Sequence, residues 1–468
     1  SFARLEDRLL LAAQPVVSVD GDTQPLIGEQ TQITVTFDNQ PDSSPGSDVG
    51  YAPYVDLIIP HNGADGAGVG NAPVNDGLTF TSASYLGSNL PATVIEFDTN
   101  GQAIHPFARD GSGNLRVVSA ADYGAAPGDQ LVVLRLPYGS FVPDQPAAAI
   151  TVTLDVSSLA DVDTPLPITA VGGFAFGRDA LDNPTADLPV VGQPDTMQVT
   201  PSLLTLDKVF NGRENETATG PNFAKSYTIS FDLATGQEVT NAMLVDTLPD
   251  GIVVLGASLS LPGTATYDPL THAVTATLDG TVTGVAGVDG TLTINFYVAE
   301  TMAPGDPASP VLDPITGAPR TLENNVKAEV DWTPEYDRDN PRTVVVDPPG
   351  PEEVFTARSI ATQKSQAVVM DANAAGLGPG DTIEYTIDVQ VSDYFDFQNL
   401  VLNDLLSDGQ HYLAGSARLT VVENGSGLGS GLFATPNIVV SRSPTTGETS
   451  FAFNVSGQLA ANGADWVL

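Results

Sequence analysis

The chain repeats itself: the stretch KSYTISFDLATGQEVTNAMLVDTLPDGIVVLG at residues 225–256 has a counterpart, TIEYTIDVQVSDYFDFQNLVLNDLLSDGQHYLAG, at residues 382–415. Asp246 and Asp404 occupy matching positions, 158 residues apart. In both stretches apolar residues alternate with polar ones and Asp-Gly turns follow, which is typical of antiparallel strands buried on one face. We therefore predict two copies of one β-domain.

Similar alternation extends through the rest of the chain. Further examples are TQITVTF (31–37), AITVTLDV (149–156) and SFAFNVSG (450–457). Many short strands separated by Gly- and Pro-rich turns predict an all-β fold of tandem immunoglobulin-like β-sandwiches. Helical spacing occurs only near the N-terminus, where Phe2, Leu5 and Leu9 would share one face, so a short helical segment is expected there.

The repeat and the proline-rich stretches suggest where the domains divide. We predict an N-terminal segment at 1–13, an N-terminal β-sandwich at 14–198, a first repeat domain at 199–346, a linker at 347–354 and a second repeat domain at 355–468. The linker is assigned because VVVDPPGP at 344–351 contains paired prolines, which favour a stiff connection. The second repeat stops before its closing strands, so we expect the chain to continue; the alternative is that another chain supplies a strand.

Composition excludes several classes of function. A formal net charge of −40 would repel nucleic acid and anionic lipid. The sequence has no cysteine and no apolar run long enough to span a membrane, and its four histidines (His61, His105, His272 and His411) lack the spacing of metal ligands. We expect no enzyme and no required cofactor. An acidic, cysteine-free chain with only four lysines suits an extracellular protein of the bacterial cell surface.

Two motifs resemble known bacterial families. The block from Tyr227 to Ile252, with its DTLPDG motif, closed by LENNVKAEV at Leu322–Val330, resembles a surface-repeat family called domain of unknown function eleven, close to fimbrial isopeptide-forming domains. The second repeat departs from this motif and has NDLLSDG. The opening LEDRLLL at Leu5–Leu11 resembles the LEPR-XLL motif of very large exported proteins, with Asp7 in place of the proline.

This resemblance implies a structural protein: the N-terminal part of a large adhesin, surface-layer or fibre protein. Its partners would be other copies of the chain or components of the cell envelope. The alternative is a carbohydrate-binding or carbohydrate-active extracellular protein, which would need exposed aromatic side chains in a groove. The local cluster for that role is Tyr51, Tyr54, Phe80 and Tyr85.

One lysine is placed where it should be buried. Lys208 has the same strand parity as Leu206 and Phe210, and the same argument turns Asp246 and Asn324 inward. A buried ammonium is costly unless it is paired, neutralised or used. The resemblance implies that the first and last strands are neighbours, so a neutral Lys208 could attack the Asn324 amide, with Asp246 as proton donor, to form an isopeptide bond. Alternatively, Lys208 reaches the rim or forms an ordinary ion pair.

Lys364 and Asp404 repeat the first two members of this set in the second repeat, where the matching asparagine would lie beyond Leu468. A separate acidic cluster precedes the predicted linker and comprises Asp331, Glu335, Asp337 and Asp339. Carboxylates at alternating spacing suit Ca²⁺, which takes six to eight oxygen ligands. We therefore predict calcium there, with a solvated acidic loop as the alternative.

Overall fold

The computed structural model describes most of the chain: residues 13–40, 49–64, 75–177, 189–303, 308–312, 318–335, 339–348, 352–372, 376–395, 397–421, 431–433 and 438–457. Nearly all of its regular structure is β-strand, so the predicted all-β fold is confirmed. Three short 3₁₀ turns lie at Ala120–Tyr123, Arg213–Asn215 and Pro221–Phe223. In these ranges no helix is long and apolar enough to cross a membrane. The expected N-terminal helix falls on residues outside them.

The first domain is a sandwich of two five-stranded sheets. Its strands are β1 (Pro15–Gly21), β2 (Gln30–Asn39), β3 (Gly50–Tyr51), β4 (Pro53–Ile59), β5 (Leu78–Tyr85), β6 (Ser88–Asn89), β7 (Ala92–Glu96), β8 (Gln102–Arg109), β9 (Leu115–Ser119), β10 (Gln130–Arg135), β11 (Ser140–Phe141), β12 (Ala148–Val156), β13 (Leu166–Phe174) and β14 (Val190–Val199). The sheet orders are β1-β2-β12-β5-β6 and β14-β13-β4-β10-β7. Strand β14 ends at Val199, next to the predicted boundary at 198 and 199.

The β8–β9 hairpin covers the outer face of the second sheet in this domain. Strand β4 is consequently buried on both faces, which explains its continuous apolar character. His105, in β8, is fully buried and lies 3.1 Å from Asp56 of β4, while Arg116 of β9 contacts the other Asp56 oxygen at 2.6 Å. This buried polar network ties the hairpin to the sheet.

The second domain is a sandwich of unequal sheets. Its strands are β15 (Leu204–Phe210), β16 (Glu216–Ala218), β17 (Lys225–Leu233), β18 (Glu238–Thr247), β19 (Ile252–Leu259), β20 (Gly263–Asp268), β21 (Ala273–Leu278), β22 (Thr281–Thr283), β23 (Gly290–Val298), β24 (Thr321–Trp332), β25 (Arg342–Val346) and β26 (Glu353–Arg358). One sheet has the order β15-β17-β23-β19. The other has β16-β26-β24-β18-β21-β20, with β22 beside β18 and β25 beside β24. Apolar side chains from both sheets form its core.

Strand β26 overlaps the predicted linker at 347–354. Glu353 to Arg358 pair antiparallel with β24 and parallel with β16, and Phe355 is buried in the core of the second domain. The chain therefore pairs with the same sheet again at Glu353. Two residues of the predicted linker and the first four of the predicted third domain thus pair with the larger sheet of the second domain, while the domain boundaries stay a prediction.

The third domain repeats part of the second. Its strands are β27 (Ile360–Met370), β28 (Thr382–Val391), β29 (Val401–Leu406), β30 (Leu419–Val421), β31 (Gly431–Phe433), β32 (Ile438–Arg442) and β33 (Thr449–Asn454). The pair β27-β28 corresponds to β15-β17, and the sheet β29-β33-β32 corresponds to β18-β21-β20. In the second domain, β24 lies beside β18. No strand of the described residues takes the corresponding position beside β29 in the third domain.

Candidate functional site

The candidate site lies in the core of the second domain, between its two sheets. Lys208, on β15, places its Nζ 2.8 Å from both carboxylate oxygens of Asp246, on β18. Lys208 is 4% exposed and Asp246 is fully buried. The alternation of β15 turns Lys208 inward with Leu204 and Phe210, as predicted, so the lysine does not reach the rim.

Asn324 lies on the strand next to Asp246. In the register of β18 and β24, Asp246 is opposite Val326, and Asn324 is two residues further along on the same inward face. Its side chain is fully buried and close enough to Asp246 to lower the pKa of that carboxyl group. The three predicted residues Lys208, Asp246 and Asn324 therefore converge on one buried site.

The route by which they converge differs from the expectation that the first and last strands are neighbours. Lys208 belongs to the edge strand of the four-stranded sheet, whereas Asn324 belongs to the interior of the larger sheet. The two residues approach each other across the sandwich, not along a shared sheet. A bond between them would connect the two sheets directly.

Burial shifts both charged groups of the site toward their neutral forms. Desolvation lowers the pKa of Lys208, and the attraction of Asp246 only partly opposes this effect. Desolvation likewise raises the pKa of Asp246, against the opposing effects of Lys208 and Asn324. Both shifts favour a neutral amine beside a protonated carboxylic acid, because an apolar interior penalises charge.

Aromatic side chains enclose the lysine. The Nζ of Lys208 lies 4.6 Å from the ring centroid of Tyr227, which stacks on Phe296 at 4.7 Å. Phe210 stacks on Phe355 at 4.5 Å in the same cluster. Burial raises the pKa of the Tyr227 hydroxyl, so that group is neutral at physiological pH. These rings keep water away from the amine and strengthen every electrostatic interaction within the site.

The third domain holds the same pair in a more open setting. The Nζ of Lys364 lies 2.6 and 2.8 Å from the two oxygens of Asp404, and 4.7 Å from the ring centroid of Tyr385. The side chains of Lys364 and Asp404 are 36% and 21% exposed, unlike those of Lys208 and Asp246. The difference follows from the strand that covers the second-domain site and has no described counterpart here.

Sequence patterns missed two parts of the site. Tyr227 opens the DTLPDG repeat block, but strand alternation gives no sign that its ring lies over Lys208. Glu352 fell within the predicted linker, yet its backbone N–H donates to the Asn324 carbonyl oxygen at 3.2 Å. Its neighbours Pro349 and Pro351 suggested an exposed connection, so nothing in the local sequence pointed to this contact.

The acidic cluster does not assemble into a recognisable metal site in the described part of the chain. Asp331 accepts hydrogen bonds from Asn241 and Thr343, which lower its pKa. Asp337 lies outside the described residues, whereas Glu335 and Asp339 lie within them. No grouping of three metal-ligating side chains occurs among the described residues. Calcium binding here stays a prediction.

The aromatic cluster needed for carbohydrate binding is not an exposed groove. Tyr54 is fully buried beneath the β8–β9 hairpin, where it packs against His105 and Phe107. Phe80 and Tyr85 pack on the main core, and the Tyr85 hydroxyl bonds to that of Tyr138 at 2.5 Å. Within the described part of the first domain, Tyr54, Phe80 and Tyr85 therefore contribute to packing and provide no support for a lectin-like site.

This chain has only weak similarity to the known proteins that it was compared with. No family model and no curated protein matches the chain. Among solved structures, the full-length major pilin SpaD of Corynebacterium diphtheriae is 11% identical, with 95% of this chain and 81% of that chain covered and a TM-score of 0.24. BcpA, the major pilin subunit of Bacillus cereus, is 11% identical, with 66% and 85% covered and a TM-score of 0.22.

A fragment of the major pilin GBS80 of Streptococcus agalactiae is 12% identical, with 71% and 91% covered and a TM-score of 0.23. The enzyme AvmM, which catalyses a macrocyclization, is also 12% identical, with 41% and 89% covered and a TM-score of 0.25. Similarities this slight do not separate a pilin from an enzyme. The family resemblance of the DTLPDG repeat therefore stays a prediction.

Proposed function

We propose that this chain is a structural, non-enzymatic protein of the bacterial cell surface, part of an adhesin, surface layer or fibre, whose second domain is stapled by an isopeptide bond between Lys208 and Asn324. The observation that supports this most strongly is the fully enclosed set of Lys208, Asp246 and Asn324. A paired lysine and aspartate could serve packing alone. A carboxamide placed against such a pair is the additional feature that an acyl transfer requires.

The chemistry needs only groups already in the site. Lys208 transfers a proton to Asp246 and becomes a neutral amine, which attacks Cγ of Asn324 while protonated Asp246 hydrogen-bonds the amide oxygen. Asp246 gives its proton to the amide nitrogen and takes one from the attacking nitrogen, the Cγ–N bond to the amide nitrogen breaks, and that nitrogen leaves as ammonia. The product is one amide bond, one ammonia and a neutral Asp246. Each molecule reacts once, so this is self-modification rather than turnover.

The bond suits a chain without cysteine that must resist unfolding. Closing a loop of about a hundred residues stabilises a fold by about 4–5 kcal/mol on chain-entropy reasoning, less any strain. Because it links two sheets that face each other, it would also oppose their separation under a pulling force. This is the mechanical requirement of a fibre or adhesin stalk.

The intact mass of the chain tests the proposal. The bond removes one ammonia, so the folded chain should be about 17 Da lighter than its sequence mass, and a peptide map should join Lys208 to Asn324. Lys208→Met and Asn324→Ala should each restore the full mass. A folded chain of unchanged mass would refute the cross-link, and the ordinary ion pair would remain.

A further inference from the structure

A second carboxylate lies at the edge of the proposed bond-forming site. The backbone N–H of Glu352 donates a hydrogen bond to the backbone carbonyl oxygen of Asn324 at 3.2 Å. The side-chain Oε2 of Glu352 accepts a hydrogen bond from the backbone N–H of Val326 at 3.1 Å. Both partners belong to β24, the strand that presents Asn324 to Lys208. Glu352 is thus held by main chain and side chain against the reacting strand, immediately before β26 begins.

Glu352 is poorly solvated for a carboxylate. Its Oε1 atom is buried and has no hydrogen-bond partner among the described residues. The groups that act on it are Lys208 and Asp207 from β15 and Asp246 from β18, with Glu353 beside it in the chain. Desolvation raises the pKa of Glu352 to about 7, and the positive charge of Lys208 opposes that rise. The carboxylate therefore changes its charge near neutral pH.

The charge of Glu352 affects Lys208, the nucleophile, more strongly than it affects Asp246. Ionised Glu352 raises the pKa of Lys208, so it favours the ammonium form. Likewise, Lys208 shifts the pKa of Glu352 more than Asp246 does. A negative Glu352 consequently stabilises the Lys208–Asp246 ion pair relative to the neutral pair. Only the neutral amine can attack the Asn324 amide.

We propose that Glu352 is a positioning residue that sets the rate of isopeptide formation through its charge: ionised, it retains Lys208 as an unreactive ammonium, and protonated, it releases the amine. The inference rests on the proposed function, because it concerns the regulation of the same site. It makes bond formation faster in mildly acidic surroundings than in alkaline ones. It also makes Glu352 an inhibitor of the reaction, whereas a general base in the same place would accelerate it.

Kinetics of cross-linking in the full chain test this inference. The chain is made in a brief cell-free translation, transferred to buffers between about pH 5.5 and about pH 8.5, and quenched at intervals for intact-mass measurement. The wild-type rate should fall about fivefold or more across this range as Glu352 ionises, since one unit of lysine pKa corresponds to a factor of ten in neutral amine. Glu352→Gln should react at the fast rate throughout. Glu329→Gln, which removes an exposed carboxylate from β24, the strand that Glu352 contacts, should behave as wild type.

The outcomes separate the two proposals. If the wild type cross-links at one rate at every pH, or if Glu352→Gln is slower, the charge of Glu352 does not restrain the reaction and the inference fails while the bond stands. If neither chain ever loses ammonia, the proposed function fails, and the inference with it. The wild-type pH profile provides the test even if Glu352→Gln folds poorly, which circular dichroism of the β-structure would reveal.

Discussion

Lys208 and Lys364 occupy the same position in two copies of one strand pair. Lys208 is opposite Ile229 in the register of β15 and β17, and Lys364 is opposite Ile387 in that of β27 and β28. Each lysine contacts both oxygens of an aspartate on the facing sheet. The two domains thus share a lysine–aspartate pair between facing sheets. In the second domain, β24 adds the asparagine to this pair.

The third-domain pair should capture a strand that carries an asparagine. In the second domain Asn324 arrives on β24, which lies beside β18; the equivalent edge of β29 has no partner strand among the described residues. A synthetic peptide with the sequence of β24, TLENNVKAEVDW, should add to this edge and bond to Lys364. The expected product is the mass of chain plus peptide, less about 17 Da, after mixing with the purified chain.

Two controls make the capture experiment specific. The peptide with alanine in place of the asparagine that corresponds to Asn324 should leave the mass of the chain unchanged, and so should the Lys364→Ala chain with the native peptide. Capture by Lys364→Ala would show that the peptide reacts elsewhere. No adduct with any chain would mean that Lys364 and Asp404 form an ordinary ion pair.

Removing Asp246 should prevent the Lys208–Asn324 bond and lower the free energy of unfolding of the second domain. Asp246→Asn leaves Lys208 as a buried ammonium without a carboxylate, a defect of about 3–5 kcal/mol. Denaturant unfolding followed by the fluorescence of Trp332, which is 1% exposed, should show this loss in a Trp466→Phe background. The matched variant Lys208→Met with Asp246→Leu also lacks the bond but leaves no buried charge, so it should be about 3–5 kcal/mol more stable than Asp246→Asn. Equal stability of the two variants would contradict this account of the pair.

The inward positions of the three site residues could be predicted from the sequence, because side chains along a strand alternate between its two faces. Lys208, Asp246 and Asn324 each share parity with apolar neighbours, and all three are buried. The sheet to which each strand belongs did not follow. Strand pairing depends on contacts far apart in the chain, so local alternation cannot show that β15 and β24 lie in opposite sheets.

Glu352 illustrates a second limit of local patterns. It stands among prolines, a composition typical of linkers, yet the chain returns at Glu353 to pair with β24. The return depends on Phe355, which fills the aromatic cluster around Lys208. A lone aromatic residue after a proline-rich stretch gives no local signal of such a distant partner.

The stability of the second domain should depend on the charge of Glu352. Its pKa is about 7 in the folded chain, against 4.5 for an ordinary glutamate, so folding takes up a proton between these values. Stability should therefore fall as the pH rises from about 4.5 to about 7 and stay lower above it. Glu352→Gln removes this dependence, so its melting temperature should exceed that of the parent at about pH 8 and equal it near pH 4.

This comparison is made in an Asn324→Ala background, so that neither chain carries the bond and the backbone contact to Glu352 is retained. Thermal unfolding at each pH, followed by Trp332 fluorescence in a Trp466→Phe background, gives the two melting curves. A constant difference between Glu352→Gln and its parent at every pH would show that Glu352 does not titrate in this range.

One of the contacts at the junction between the second and third domains is made close to a glycine. Asp393, which follows β28, accepts hydrogen bonds from the backbone N–H and the side-chain amide of Asn222, both at 2.9 Å. Gly220 lies beneath this carboxylate with a φ of +122°, and a Cβ there would approach the Asp393 side chain to 2.2 Å. Gly220→Ala should therefore displace Asp393 and loosen the junction. This change should increase interdomain motion without unfolding either sandwich.

Small-angle X-ray scattering of the full chain should show a broader distribution of interatomic distances for Gly220→Ala, and limited proteolysis should cut the junction faster. Gly236→Ala is the control for a substitution at another positive-φ glycine: its φ is +80°, and nothing lies within 4 Å of the new Cβ. That variant should lose about 1 kcal/mol of stability with an unchanged scattering profile. If both variants scatter alike, backbone strain alone accounts for the effect, and the contact between Asp393 and Asn222 does not hold the two domains together.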